Sequence, residues 1–311
     1  MSRFAKGWIP NVRPFAHTFS GVHPLLRAGV ALDGSDLTAF TPPQMDQGGE
    51  PACVGHATSC TAFTSFSKAG TPLLWVPSMA WIYRIANAVT RAAQGLDPAT
   101  NPLPNQGAMP SDAMTGLAQY GLKAMGPQIE GRFSDSDATT DVAEPTQDEL
   151  AAAFECSVES HAILPGANFV SDYCTALHEY GCPIGVFVDT AFENWDPMQG
   201  FIGAPNANDP NGGGHDLSGV GYIPAGKLAQ GGAAALPAAL KATAAQAAAL
   251  AQAASKLAAT HKLVIIKNSW VDAPGVPWGM NGYCIVNEDF LTAPTTSDAN
   301  AILPVKKEVS P

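Results

Sequence analysis

Charge is scarce in this chain, and basic charge scarcest: of 311 residues 14% are charged, with 16 Lys and Arg against 27 Asp and Glu, for a formal net charge of -11. So few cations cannot neutralise phosphates, so neither nucleic acid nor an anionic membrane is expected as a partner. Long apolar runs are missing too, and no window approaches the roughly 18 residues of a membrane span. The N-terminal MSRFAKGWIPNVRPF leads into no apolar signal core, so a soluble, cytoplasmic protein is expected. Cysteine is sparse and irregular, at 53, 60, 156, 174, 182 and 284, which excludes a disulfide framework and fits reduced thiols. Spacing alone leaves a Cys174–Cys182 pair open. What is abundant is apolar surface: 46% hydrophobic residues exclude a disordered chain, and this length suits one large domain or two packed lobes.

Residues 1–43 carry Pro, Gly and isolated aromatics without periodicity and read as an extended arm laid over a core. A mainly helical lobe is expected over 44–150. One helix should run from Cys53 to Lys68 with Gly70 as its stop, a second from Ser78 to about Ala93, and a third from Ser111 to Tyr120. In the third, Ser111 and Asp112 offer N-caps and Gly121 a stop. A polar stretch at about 131–149 separates this from a β-rich lobe over 151–300, with strands at Ile184–Val188, Leu217–Ile223, Leu263–Lys267 and Gly282–Val286. Residues 301–311 read as a tail. The β-rich lobe contains an alanine-rich insertion at about 225–262. Within it, 16 of the 27 residues from Ala233 to Ala259 are alanine, predicting one helix with Leu236, Leu240, Leu250 and Leu257 in a single stripe. That stripe would pack on its own domain or dock another protein.

Three blocks carry chemistry. In DQGGEPACVGHATS, Gln47 precedes by six residues a Cys53 that opens a helix, whose N-terminus favours a thiolate. The Gln47 carboxamide and the Cys53 backbone N–H would then form an oxyanion hole. In NGGGHDLSGVGY, a glycine run ending at Gly214 lets backbone approach a groove, and His215 begins a strand. In LVIIKNSW, Asn268 ends another strand with Trp270 beside it, and an amide oxygen on the imidazole N–H would fix the tautomer of His215.

Taken in order, Gln, Cys, His, Asn-Ser-Trp, then the Trp-Gly and Gly-Tyr of VPWGMNGYCIV resemble the papain-like cysteine peptidases over about Pro42 to Val286. The resemblance implies an α+β, two-lobed papain-like fold, helical lobe first and β-barrel-like lobe second, with the site in the cleft between them. It implies peptide-bond hydrolysis through a thioester, with Cys53 as nucleophile, His215 as acid and base, Asn268 orienting it and Gln47 in the oxyanion hole. That chemistry calls for no cofactor and no metal, and its partner is a peptide or protein substrate. NQGAMPSDAMTGLAQYGL resembles the family's cleft loop, which implies that Gly107 hydrogen-bonds the peptide backbone and that Ala108, Met109 and Pro110 border the pocket beside it. Trp270 would shield the His–Asn bond from water. Two departures stand out: Val54 follows the nucleophile where Trp is common, and Glu50 stands where many secreted members carry a disulfide cysteine.

Two other readings remain open on sequence. Cys53, His56 and Cys60 share a helical face and could begin a metal site. A peptidase-like fold could also serve as a non-proteolytic binding or structural component of a larger assembly, such as a phage particle or effector complex.

Overall fold

The computed structural model describes residues 33–103, 105–125, 144–153, 156, 158–297 and 299–304. The described part of the arm begins with strand β1 (Ser35–Asp36), which pairs with Tyr222 and Gly221 of a later strand, and buries Leu37 beside it. The rest of the expected arm, residues 1–32, lies outside the described residues.

Helix α1 (Cys53–Lys68) matches its expected bounds, and Gly70 follows it at φ 72°. It is buried on nearly every side because it lies between the helical lobe and the sheet. Several of its hydroxyls tolerate this because they find a local acceptor or a neighbour: Thr61 and Thr64 donate to the carbonyls of Ala57 and Cys60, and Ser59 donates to Pro77 O at 2.6 Å, whereas the buried Thr58 Oγ1 has no hydrogen-bond partner among the described residues. Gly55 lets the next helix approach, since a Cβ there would lie 2.3 Å from Met79 O. That helix, α2 (Met79–Ala93), is capped by Ser78, which accepts from Trp81 N at 3.0 Å. Helix α3 (Pro110–Tyr120) starts earlier than expected. Pro110 takes its first position, where the missing N–H costs nothing, and Met109 is the cap residue; Ser111 and Asp112 fall inside the first turn. The expected polar stretch falls largely outside the described residues, but its end forms α4 (Gln147–Ala153). Arg84 of α2 holds this helix through both oxygens of Glu149, each at 3.2 Å.

The second half supplies β2 (Val158–Ile163), α5 (Phe169–Ala176), β3 (Cys182–Val188), α6 (Thr190–Glu193), β4 (Gly213–Pro224), α7 (Ala225–Gly231), α8 (Ala244–Ala254) and β5 (Lys262–Lys267). Then come the short β6 (Val271–Ala273) and β7 (Val276–Pro277), β8 (Tyr283–Val286), α9 (Glu288–Leu291) and β9 (Ala299–Pro304). The main sheet runs β2-β9-β3-β4-β5-β8, antiparallel throughout, with β1 joined to β4. It is an open path with β2 and β8 at its ends, so the barrel-like lobe is not a closed barrel among the described residues. β9, expected as the start of a tail, is an interior strand with Ala301 and Ile302 buried. Val158 and Ile302 reach across into the core of the helical lobe.

Both faces of the sheet are covered, and alternation sorts its residues between them. Val264 and Ile266 of β5, with Cys284 and Val286 of β8, face a core with Phe192, Trp270 and Trp278; Leu263, Ile265 and Ile285 face the opposite one. The alanine-rich segment covers that second face. It is not one helix: short 3-10 turns at Gly232–Ala235 and Ala238–Leu240 precede α8, Pro237 and a left-handed Lys241 (φ 48°) break the run, and Thr243 restarts it with a capping box to Gln246. Leu240 and Leu250 are fully buried against Val220 and Ile265, and Leu236 and Leu257 pack half-buried at the margin. Among the described residues no helix is long and apolar enough to cross a membrane.

Candidate functional site

The site forms where α1 meets β4 and β5. Cys53 is the first residue of α1 and is fully buried. No side chain caps that end, so its backbone N–H groups concentrate positive potential there. One turn along, Ser218 Oγ of β4 donates to Ala57 O at 3.2 Å, locking strand to helix three residues beyond His215.

His215 is fully buried, and its Nε2 lies 2.9 Å from Asn268 Oδ1. The same oxygen accepts Ser269 N–H at 2.8 Å, so it is the acceptor in both bonds and Nε2 carries the proton. A neutral His215 therefore has its lone pair on Nδ1. Trp270 stacks on the imidazole with centroids 4.4 Å apart and planes 23° apart, excluding water from the His–Asn bond. Phe192 and Trp278 support Trp270 edge-on, fixing that indole from behind.

Sequence reasoning missed the residues that join the two halves of the site. Gln44 Nε2 donates to Asn268 O at 2.8 Å and Met45 O at 2.9 Å. Gln47 N donates to Ser269 O at 3.0 Å, Ser269 Oγ donates to Gln47 Oε1 at 2.6 Å, and Gln47 Nε2 donates to Glu50 O at 3.0 Å. The Gln47 carboxamide is thus held at both ends. A Gln three residues before Gln47 and a Ser inside the Asn-Ser-Trp block were the only sequence signals, and neither has a distinguishing local pattern.

The cleft loop is tied to the helical lobe. Gly107, at φ 108° and buried, donates its N–H to Tyr83 Oη at 3.1 Å. Tyr83 in turn donates to Asn105 Oδ1 at 3.0 Å, and Asn105 Nδ2 donates to Glu50 Oε2 at 3.2 Å. Ala108, Met109 and Pro110 are buried, Ala108 within the helical core. Gly214 is half-buried opposite Phe187 on β3.

His56 packs behind the site. Burial, and then the charge of His215, lower its pKa to about 3, so it is neutral near pH 7. It lines a cavity of about 10 Å³ with Cys60, Asp216, Lys267 and Asn268, at the lower limit for one water. Burial pushes the Cys60 thiol up, away from a thiolate, though Lys267 works against this. Among the described residues no group of three or more His, Cys, Asp or Glu is arranged to hold a metal ion.

Solved structures similar to this chain are cysteine peptidases. Xylellain, a cysteine protease from Xylella fastidiosa, superposes with a TM-score of 0.65 at 17% identity, covering 98% of this chain and 97% of that one. A procathepsin B from Trypanosoma congolense gives 0.59 at 14% identity over 98% and 87% of the two chains. Bromelain from Ananas comosus, in complex with the E64 inhibitor, gives 0.54 at 12% identity over 88% and 100%. No family profile and no curated protein sequence matches the chain. The chain has the papain-like cysteine peptidase fold.

Proposed function

We propose that the protein is a cysteine peptidase that hydrolyses peptide bonds through Cys53, His215 and Asn268, with Gln47 in the oxyanion hole. The observation that carries this is the buried His215–Asn268 hydrogen bond under Trp270, on the strand that packs against the helix opened by Cys53. With Nε2–H committed to Asn268, Nδ1 is the nitrogen that takes the thiol proton. The helix N-terminus stabilises the thiolate that remains. Attack on the carbonyl carbon drives charge onto its oxygen, where the Cys53 backbone N–H and Gln47 Nε2 stabilise it. His215 then protonates the departing amine to leave a thioester, and a water deprotonated by the same nitrogen releases the acid. All six cysteines lie among the described residues and no disulfide joins them, which fits a reducing compartment such as the cytoplasm.

The test is exposure to an epoxide of the E64 type, followed by peptide mass spectrometry. Selective addition to Cys53 over the other five cysteines, lost in Cys53→Ala together with all peptide turnover, is the expected result. A second reading has one observation in its favour: neither Cys53 nor His215 has solvent-accessible surface. A folded, reduced protein that takes no label at Cys53 would make it a binding or structural component on this fold.

A further inference from the structure

Asn268 has one end of its carboxamide fixed and the other unmatched. Its Oδ1 accepts from His215 Nε2 and from Ser269 N–H, and the second bond fixes the orientation of the amide, because a flipped group would set Nδ2 against the Ser269 donor. Nδ2 therefore lies on the other side of the group. It is buried and has no hydrogen-bond partner among the described residues, and the same is true of His56 Nδ1. Folded proteins seldom leave such atoms dry.

Both side chains line the small cavity between α1, β4 and β5, together with Cys60 of the helix, Asp216 and Ser218 of β4 and Lys267 of β5. At about 10 Å³ it admits one water molecule and nothing larger. The carboxylate of Asp216 and the ammonium of Lys267 are opposite in sign, so the wall calls for no counter-ion. His56 is neutral near pH 7, which makes its Nδ1 a donor or an acceptor according to tautomer, and water can meet either. Asn268 Nδ2 is a donor only, and a water oxygen accepts from it.

We propose that this cavity holds one buried water that bridges Asn268 Nδ2 to His56 Nδ1, with His56 acting through it as a positioning residue for the His215–Asn268 pair. The water supplies a third hydrogen bond to the carboxamide and so resists rotation of the group that keeps the proton on His215 Nε2. Its effect on turnover rests on the peptidase reading above; its presence does not. The test compares crystal structures of wild type, of His56→Phe, which keeps the ring but has no nitrogen, and of His56→Asn, whose amide reaches the place of Nδ1. Density for one water within hydrogen-bond reach of both nitrogens is expected in wild type, with the water retained in His56→Asn and lost in His56→Phe. A dry cavity in wild type, or a water that stays in place in His56→Phe, overturns the proposal. The positioning role is read from the ring-nitrogen chemical shifts of His215: a single Nε2–H tautomer in wild type and His56→Asn, and a mixture in His56→Phe. A tautomer unchanged in His56→Phe overturns that role. Peptide turnover of the same proteins keeps the two readings apart. An inactive wild type with the water in place removes the peptidase and leaves the water site, whereas an active but dry wild type removes the water site alone.

Discussion

Asn268 illustrates how one side chain's chemistry is set by its neighbours. Its oxygen takes two N–H donors, so the imidazole proton has a single place to go. Asn268→Ala should lower kcat by roughly ten- to a hundredfold, within the contribution of a positioned acid–base group. Cys53 labelling at high reagent concentration should persist; loss of both, with a broadened unfolding transition, would show misfolding instead. Ser269→Ala leaves Gln47 Oε1 without its hydroxyl donor, at a cost of about 1–3 kcal/mol in urea unfolding. Turnover should fall as well, because the carboxamide loses one of its two anchors. His56 gives a pH signature. Its folded pKa of about 3 lies below its unfolded value near 6.5, so the unfolded chain binds more protons between those limits. Stability at neutral pH is therefore lost as pH falls from 6.5 towards 3, by about 1.4 kcal/mol per unit within that window. His56→Leu should flatten that limb in urea titrations at pH 7 and 4.5, and an unchanged slope would remove His56 as its cause.

Among the elements, the alanine-rich segment is where local propensity and outcome part. Alanine content predicted one helix, but Pro237 and the left-handed Lys241 divide it, and Leu240 and Leu250 reach the same core from separate pieces. Leu250→Ala should cost about 2–5 kcal/mol, as for other buried leucines, and Thr243→Ala about 1 kcal/mol through the lost cap. Equal, near-zero values in thermal unfolding would mean that α8 is not part of the cooperative core. The α1 helix shows the opposite case: absence of Pro, a Gly70 stop and a Cys at the start predicted its bounds correctly, because nothing tertiary opposed them. β2 and β9 were missed because each is short and only half patterned, and their pairing across more than a hundred residues leaves no local trace.

At the scale of the whole molecule, acid should act in two windows. The first is that of His56. The second belongs to Glu149: burial pushes its carboxyl up, but hydrogen bonds from Arg84, Lys123 and Thr146 outweigh burial and hold it at about 2. Being depressed, it contributes stability above its unfolded value of 4.5 that is lost as pH falls from there towards 2. Glu149→Gln should weaken the protein at neutral pH and remove part of the dependence below pH 4.5, leaving the His56 window intact in the same titration.

The sequence by itself determined the residue types of the candidate site, their order, the helix opened by Cys53 and the central strands, because each rests on local pattern: a glycine stop, a cap, an alternating apolar run. The papain-like fold follows from that order, and the similar solved structures bear it out. Only the tertiary structure decided that the sheet is an open path among the described residues, that Gly107 turns its N–H to Tyr83, and that Gln44 and Ser269 stitch the halves of the candidate site together. The last of these are hydrogen bonds between groups up to 224 positions apart, and such a bond depends on where two backbones come to lie, which no stretch of either one encodes alone.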